Sequence, residues 1–452
     1  MSRPRLIIAP AKQKALERRH PWIFSGAVCR TEGNPSAGDI VDVCTADGAW
    51  LAVGYYQPDS IVCKVLSYDT QQVDQAFFAA RIDQAVRLRE MLGFFNDSST
   101  NVFRLVNGEG DFLPGLICDY YNGVLVMQAH SMGMYRLFDL FADLFRDRLG
   151  SRLVAIFDKS SATVPNATDV SDGYIWTRSS TMPQEWEVVE LDNKILINFY
   201  EGQKTGFFVD QRENRSLVRQ LAQGRRVLNC FGYTGGFSLA ALRGGAEYVE
   251  TVDISRRAIE LCERNVQINF GVQAPHKGVV ADVLQYWNRP EGGHEHRLVD
   301  KDAANNRPAG GDEHRLLNDN SANKPNAAPV PMASAIGCEE MNSPEVQKQF
   351  DLVVLDPPAF AKNHRNLQQG LKGYRAVNTK AMQHIAPGGL LLTFSCSQAV
   401  SRDDFQTMAF SAAALAHRDV RIVRWLPHAM DHPVSIYHPE GEYLKGLLLQ
   451  VQ

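Results

Sequence analysis

Arg225-Arg-Val-Leu-Asn-Cys-Phe-Gly-Tyr-Thr-Gly-Gly-Phe237 decides how this chain reads. An apolar run enters a turn holding Gly232, Gly235 and Gly236, where the backbone can bend tightly and approach a ligand that side chains would block. The run predicts a strand over 225–230. Outward from it the chain alternates strand and helix, the signature of a parallel sheet, with strands predicted at 248–252, 277–281, 351–355 and 389–394. Two last strands, near 421–425 and 443–451, complete that sheet. The helix after Asp253 is the clearest: Ser255 caps it, Ile259, Cys262 and Val266 form its buried stripe, and Gly271 lies past its end.

In a doubly wound sheet, ligands sit beyond the carboxyl ends of the strands. Here those ends carry the glycine loop, then Asp253, Asp282, Asp356-Pro-Pro and Ser395-Cys-Ser. The glycine spacing departs from G-x-G-x-x-G, and no Arg or Lys in the loop waits for a diphosphate. A carboxylate at Asp253 suits two ribose hydroxyls, because it accepts both hydrogen bonds, and Asp282 lies where an adenine amino group could donate. The set describes S-adenosylmethionine better than NAD.

Cys396 and Asp356 leave neighbouring strand ends. Carbon 5 of a pyrimidine is a poor nucleophile until something adds to carbon 6, and a thiolate both adds well and leaves well. A carboxyl group beside it manages the proton on the ring, and the base must be unstacked or flipped to enter. The plain alternative is that Cys396 is a small buried hydrophobe, as most free cysteines are. Its place in a polar Ser-Cys-Ser loop argues for the nucleophile. Cys230 adjoins the glycine loop and reads as packing or cofactor wall.

With 452 residues the chain is too long for one ordinary core. Its 44% hydrophobic and 22% charged residues are those of a soluble globular protein. No signal peptide or membrane span is predicted, and the eight cysteines are scattered without a C-x-x-C pair. That pattern argues for a reducing compartment, a cytoplasmic location, and against structural metal. The net charge of −4 hides an asymmetry: Arg3, Arg5, Lys12, Lys14, Arg18, Arg19 and Arg30 face a single acid, Glu17, within residues 1–30. Clustered charge of this kind suits a phosphate-binding surface.

Three parts are predicted: a small β-barrel over 1–75 with strands at 5–8, 40–44, 50–56 and 61–68; a middle α+β region over 76–200; and an α/β domain over 201–452. Within the last, residues 288–348 break the rhythm. Asn288-Arg-Pro-Glu-Gly-Gly is echoed by Asn306-Arg-Pro-Ala-Gly-Gly, and the segment is too polar to offset its ordering entropy, so it reads as a disordered insertion. His294, His296 and His314 within it lack the scaffold a metal needs.

The whole pattern resembles the ribosomal large subunit methyltransferase I family. The likeness is carried by Leu228-Asn-Cys-Phe-Gly-Tyr-Thr-Gly-Gly-Phe-Ser238, Leu355-Asp-Pro-Pro-Ala-Phe360 and Thr393-Phe-Ser-Cys-Ser397. It extends to Arg18-Arg-His-Pro-Trp-Ile-Phe-Ser-Gly26, Gly108-Glu-Gly-Asp-Phe-Leu-Pro-Gly115, Lys204–Arg215, Asp431-His-Pro-Val434 and Pro439–Gly446. The resemblance implies a PUA RNA-binding barrel before a Rossmann-like class I methyltransferase domain, forming 5-methylcytosine in 23S rRNA, naked or in a precursor particle. By it, Cys396 is the nucleophile and Asp356 serves the base. The implied cofactor set is Asn229, Phe231, Gly232, Tyr233, Thr234, Gly235, Asp253, Ile254, Asp282, Val283 and Asp356. Arg18, Arg19, His20 and Lys204 are the expected RNA contacts. Ala359 stands where a lysine is expected after Asp-Pro-Pro, and Phe112 where a glycine is. Two alternatives remain: a methyltransferase acting on an exocyclic amine such as guanine N2, with Cys396 incidental, and an assembly factor that holds the cofactor without turnover. Whether the chain forms a homodimer is left open.

Overall fold

Twenty strands and ten α-helices appear among the residues that the computed structural model describes, 3–165, 170–287 and 349–452. The duplicated segment at 288–348, with its three histidines, lies outside the described residues.

The first sheet is β1 (Arg5–Ile8), β2 (Trp22–Phe24), β3 (Val28–Glu32), β4 (Ile40–Cys44), β5 (Trp50–Tyr56) and β6 (Ile61–Ser67), in the order β2-β6-β5-β4-β1-β3. Its core is Leu6, Ile8, Ile23, Val41, Val43, Ala52, Cys63 and Val65, with Leu16 of the one-turn helix α1 (Gln13–Leu16). The sequence did not announce β2 and β3, which are short and mostly exposed on their outer faces and so lack a clear alternation.

The middle sheet, ordered β11-β10-β9-β8-β7, contains β7 (Val102–Asn107), β8 (Leu116–Tyr121), β9 (Val124–Ala129), β10 (Ala155–Asp158) and β11 (Gly173–Thr177). Helix α2 (Gln75–Met91), capped by Asp74, covers one face. It does so with α3 (Met132–Tyr135) and α4 (Phe138–Leu149). A two-stranded ribbon, β12 (Trp186–Glu190) and β13 (Asn193–Ile197), follows. The other face shares one core with the last sheet: Tyr121, Phe157 and Phe199 belong to the same buried cluster as Val227, Phe237 and Leu352.

The last sheet comprises β14 (Arg226–Cys230), β15 (Tyr248–Asp253), β16 (His276–Val280), β17 (Phe350–Leu355), β18 (Ile385–Ser395), β19 (Val420–Leu426) and β20 (Lys445–Val451). Their order is β16-β15-β14-β17-β18-β20-β19, parallel except for β20, which runs antiparallel to both neighbours. Helices α5 (Arg212–Leu221), α6 (Gly236–Arg243) and α7 (Arg256–Phe270) cover one face, and α8 (Val283–Tyr286), α9 (Leu367–His384) and α10 (Arg402–Ala416) the other. This is the Rossmann-like arrangement that the strand pattern predicts. Ser255 caps α7 through its side chain, and Gly271 follows its last turn at φ +79°. No helix among the described residues is long and apolar enough to cross a membrane.

Ionic pairs withdrawn from water join these parts. Arg89 of α2, fully buried, makes two bonds to Asp111, at 2.5 and 2.8 Å, and donates to the Asp431 carbonyl at 2.7 Å. Arg104 of β7 grips Asp119 of β8 at 2.8 and 2.9 Å. Asp431 accepts from the Arg104 amide at 2.7 Å and pairs with Arg212 of α5 at 2.8 Å. Arg215 and Glu190, separated by 2.8 Å, tie α5 to β12. Removing one partner of such a pair strands the other's charge in a dry interior. Arg89→Met is therefore expected to lower the unfolding free energy by about 3–5 kcal/mol, read as a fall in the urea midpoint at unchanged slope. Arg89→Met/Asp111→Leu is expected to recover more than half of that loss. A double variant no better than the single one would refute this account of the pair.

Candidate active site

The carboxyl ends of β14 to β18 converge on one crevice. After β14 the backbone turns through left-handed conformations at Phe231, Tyr233 and Gly235 (φ +59°, +46° and +86°). Packing imposes the glycines: a Cβ on Gly232 would stand 2.2 Å from Thr251 Cγ2, and one on Gly235 2.4 Å from Cys262 Sγ. The turn brings the Tyr233 amide to Asp253 Oδ2 at 2.9 Å, while the Ser255 amide donates to Oδ1 at 2.8 Å. Each oxygen keeps a lone pair for a ligand, because a carboxylate offers about four acceptor positions. Beside it Ile254 leaves its side chain 73% exposed, an apolar surface for a flat ring.

Other members of the expected cofactor set are placed differently. Asn229 is buried and donates to Ser238 Oγ at 2.8 Å, while its Oδ1 meets no partner. Thr234 is buried with an unpartnered hydroxyl, and its carbonyl accepts from Asn265 of α7. Asp282 caps α8 by accepting from the Gln285 amide at 3.0 Å, which leaves its second oxygen for an amino group. The Val283 side chain is buried in the core of the α8–α10 face, so only its backbone can border a ligand. Cys230 is likewise buried, and burial pushes its thiol well up. It packs.

At the other end of the crevice, Leu355 of β17 lies opposite Thr393 of β18, so Asp356 and Cys396 emerge side by side. Asp356 accepts from Gln211 Nε2 at 3.0 Å, and Gln211 is held by Asn214 at 2.6 Å. Asp210 next to Gln211 accepts from Tyr443 OH at 2.7 Å and from Lys204 Nζ at 3.3 Å. The loop carrying Cys396 is pinned from both sides. Lys445 donates to the Ser397 and Tyr443 carbonyls at 2.6 and 2.7 Å, and Tyr374 OH lies 3.0 Å from Ser397 Oγ. Cys396 itself is half-buried.

The electrostatics separate the two carboxylates. Burial works against ionisation of Asp210, but Lys204, His432 and the Tyr443 hydroxyl outweigh it and hold the group below the usual carboxylate range. At Asp356 the charges of Lys204 and Arg215 are outweighed. Burial, then the Asp210 charge, push it up to about 7. Burial also raises Cys396; Lys204 opposes, and Asp356 and Asp210 add to the rise. Lys445 falls to about 8 through burial. A carboxyl group that both gives and takes a proton near neutrality thus adjoins a thiol, the poise general acid–base work requires.

Of the expected RNA contacts, Lys204 belongs to this crevice, with its ammonium 4.4 Å from the Phe208 ring centre. Arg18 and Arg19 are exposed on the barrel, and Arg19 pairs with Asp69. His20 is half-buried and its Nε2 is engaged by Glu440 at 3.2 Å. Sequence reasoning assigned no role to Asp210, Gln211, Tyr443 or Lys445. Their signal was position alone, in the polar runs Lys204–Arg215 and Pro439–Gly446.

Comparison with known proteins bears on the fold and the family. Residues 6–68 match the model of a PUA-like domain, and residues 171–289 that of an S-adenosylmethionine-dependent methyltransferase. Ribosomal RNA large subunit methyltransferase I of Erwinia tasmaniensis is 34% identical over 455 residues, covering 99% of each chain. The protein of that name from Escherichia coli is 34% identical over 461 residues, again covering 99% of each. The chain belongs to the ribosomal RNA large subunit methyltransferase I family. The fold is that of a solved methyltransferase complexed with SAH, at TM-score 0.76 and 18% identity over 99% of this chain and 100% of that one. A SAM-dependent methyltransferase from Streptococcus mutans matches at TM-score 0.75 with the same identity and coverage. As a member of the family, this methyltransferase uses S-adenosylmethionine, and the crevice fits that cofactor. Asp253 has lone pairs to spare, Ile254 offers a flat apolar surface, and Asn229 and Thr234 hold unpartnered polar atoms near the glycine turn.

The raised Asp356 makes stability depend on pH. The folded protein binds this proton more tightly than an unfolded chain with the ordinary value of 3.8, so the contribution is complete below that pH and is lost as pH rises through about 7. Asp356→Asn removes the loss. Its unfolding free energy relative to wild type is expected to rise by on the order of 1–3 kcal/mol between pH 5 and pH 8 in cofactor-free protein. A constant difference in melting temperature across that range would mean that Asp356 stays ionised throughout.

Proposed function

We propose that this methyltransferase acts on large-subunit ribosomal RNA, the 23S molecule, and forms 5-methylcytosine through a covalent bond between Cys396 and cytosine carbon 6. The observation that carries the reading is the pinned, half-buried thiol beside a carboxyl group near pKa 7. The thiol proton passes to ionised Asp356 as sulfur bonds to carbon 6, and Asp356 delivers that proton to ring nitrogen 3. The ring is then an enamine, electron-rich at carbon 5. S-adenosylmethionine, when bound, supplies an electrophilic methyl group. Once carbon 5 carries the methyl, a base removes its hydrogen, the carbon–sulfur bond breaks, and the nitrogen 3 proton returns through Asp356 to the departing Cys396 sulfur. Lys204 favours the thiolate during this cycle, since its charge lowers the Cys396 pKa against the burial that raises it.

In this reading Asp253 holds the ribose, Asp282 the adenine amino group, and Phe231, Gly232, Tyr233 and Gly235 form the wall against the cofactor's tail. The barrel, residues 1–75, tracks phosphates with Arg18 and Arg19, while Lys204 meets the target nucleotide. Location with ribosomes in the cytoplasm follows from that substrate.

Labelled S-adenosylmethionine and rRNA lacking the modification test the chemistry. Wild type is expected to yield labelled 5-methylcytosine on nucleoside analysis, and Cys396→Ala at least a thousandfold less. A fully active Cys396→Ala, or label on an exocyclic nitrogen, would move the chemistry to Asp356 alone. Binding without any transfer would favour an assembly factor. For the barrel, Arg18→Ala/Arg19→Ala is expected to weaken RNA binding and reduce the slope of log K against log salt by about 2, one for each phosphate that the arginines no longer neutralise. An unchanged slope would remove both residues from the interface.

A further inference from the structure

Where the barrel meets the loop between β19 and β20, three metal-binding side chains converge outside the crevice. His20 precedes β2, and His438 and Glu440 lie 418 and 420 positions further along the chain (438 − 20 and 440 − 20). One donor atom from each lies within 4.8 Å of the others. His20 Nε2 is 3.2 Å, and His438 Nε2 3.8 Å, from Glu440 Oε2.

His438 is only 3% exposed, yet its Nε2 meets no hydrogen-bond partner and faces this cluster. A buried ring nitrogen without a partner costs free energy that a cation would recover. The other His20 nitrogen, Nδ1, is held against the Trp22 backbone, accepting from its amide at 3.1 Å and lying 3.3 Å from its carbonyl; a metal at Nε2 moves the ring proton to Nδ1, which then donates to that carbonyl. Trp22 is itself fixed, packing 4.4 Å from the His438 ring and donating to Glu109 at 2.7 Å.

The geometry points to a divalent transition-metal site formed by His20, His438 and Glu440, suited to Zn2+ with water as the fourth ligand. Two imidazoles and one carboxylate are a common zinc donor set, and Glu440, half-exposed, leaves one side open to water. The ion would clip the barrel to the loop that leads into Tyr443 and Lys445. Scattered cysteines gave no hint of it, because no thiol takes part.

Full-length protein stripped with a chelator and titrated with Zn2+ by calorimetry tests the site, with Co2+ as the spectroscopic probe. Wild type is expected to bind one Zn2+ per chain, to melt higher with it, and to show the visible bands of a tetrahedral Co2+ centre without thiolate charge transfer. Glu440→Gln and His20→Asn are expected to bind at least tenfold more weakly, in the same cysteine background. Because Glu440 is on the surface, Glu440→Gln keeps the test valid should a histidine variant misfold. No stoichiometric binding, equal affinity in Glu440→Gln, or a thiolate signature in the Co2+ spectrum would each overturn the proposal.

Discussion

Everything near the crevice hangs from a lattice of arginine–carboxylate pairs that water does not reach. Arg89, Arg104, Arg212 and Arg215 face Asp111, Asp119, Asp431 and Glu190, four charges against four. Neutrality in a dry interior is a condition of folding here, since an odd charge would cost several kcal/mol. Asp431 is the knot. Burial alone would raise its pKa, but Arg212 and then His432 hold it well below the ordinary range. Through it, β7, α5 and the loop after β19 keep one register. Hydrophobic burial could join the same elements, but it would not define which residue of each faces the crevice.

That rigidity has an electrical use. Asp210 and Gln211 run directly into α5, whose first turn is clamped by Arg212. Asp210 is therefore held where its charge bears on Asp356, and Lys204 and Tyr443 where they bond to Asp210. Two carboxyl groups in one pocket thus titrate far apart, Asp210 below the usual range and Asp356 near 7. Pairs of titratable groups pushed apart in this way mark acid–base sites. The crevice divides along its length, with Asp253 and the exposed Ile254 at one end and the Asp356–Cys396 pair at the other.

How much of this could be read in the sequence follows the range of the forces involved. Glycines at a strand end, a serine cap and an acid before a helix are local signals, and they located the crevice from Asn229 to Cys396. The lattice was invisible. Arg104 and Asp431 are 327 positions apart, and singly each resembles a solvated charge. Asn265 and Asn269 sit on the inner face of α7 as an apolar residue would, yet they bond the backbone of β13 at Leu196 and Lys194. Phe112, where a glycine was expected, adopts φ +57°; the strain of a left-handed aromatic residue is offset in part by Arg81, whose guanidinium lies 5.2 Å from the ring centre. Ala359 is half-buried ahead of Phe360, which packs at a tilt on Tyr374, and nothing in the structure explains why a lysine is missing there.

The order β18-β20-β19 carries a consequence for assembly in time. Strand β19 is synthesised before β20, yet among the described residues it pairs with β20 alone. It has no template until β20 has slid in antiparallel beside β18, with Lys445 opposite Ser395. Tyr443 and Lys445, which brace Asp210 and the Cys396 loop, arrive with that strand. A nascent chain therefore holds its glycine turn and Asp253 well before it holds a finished pocket around Cys396. Commitment to chemistry comes last, when a long-range strand insertion closes the sheet.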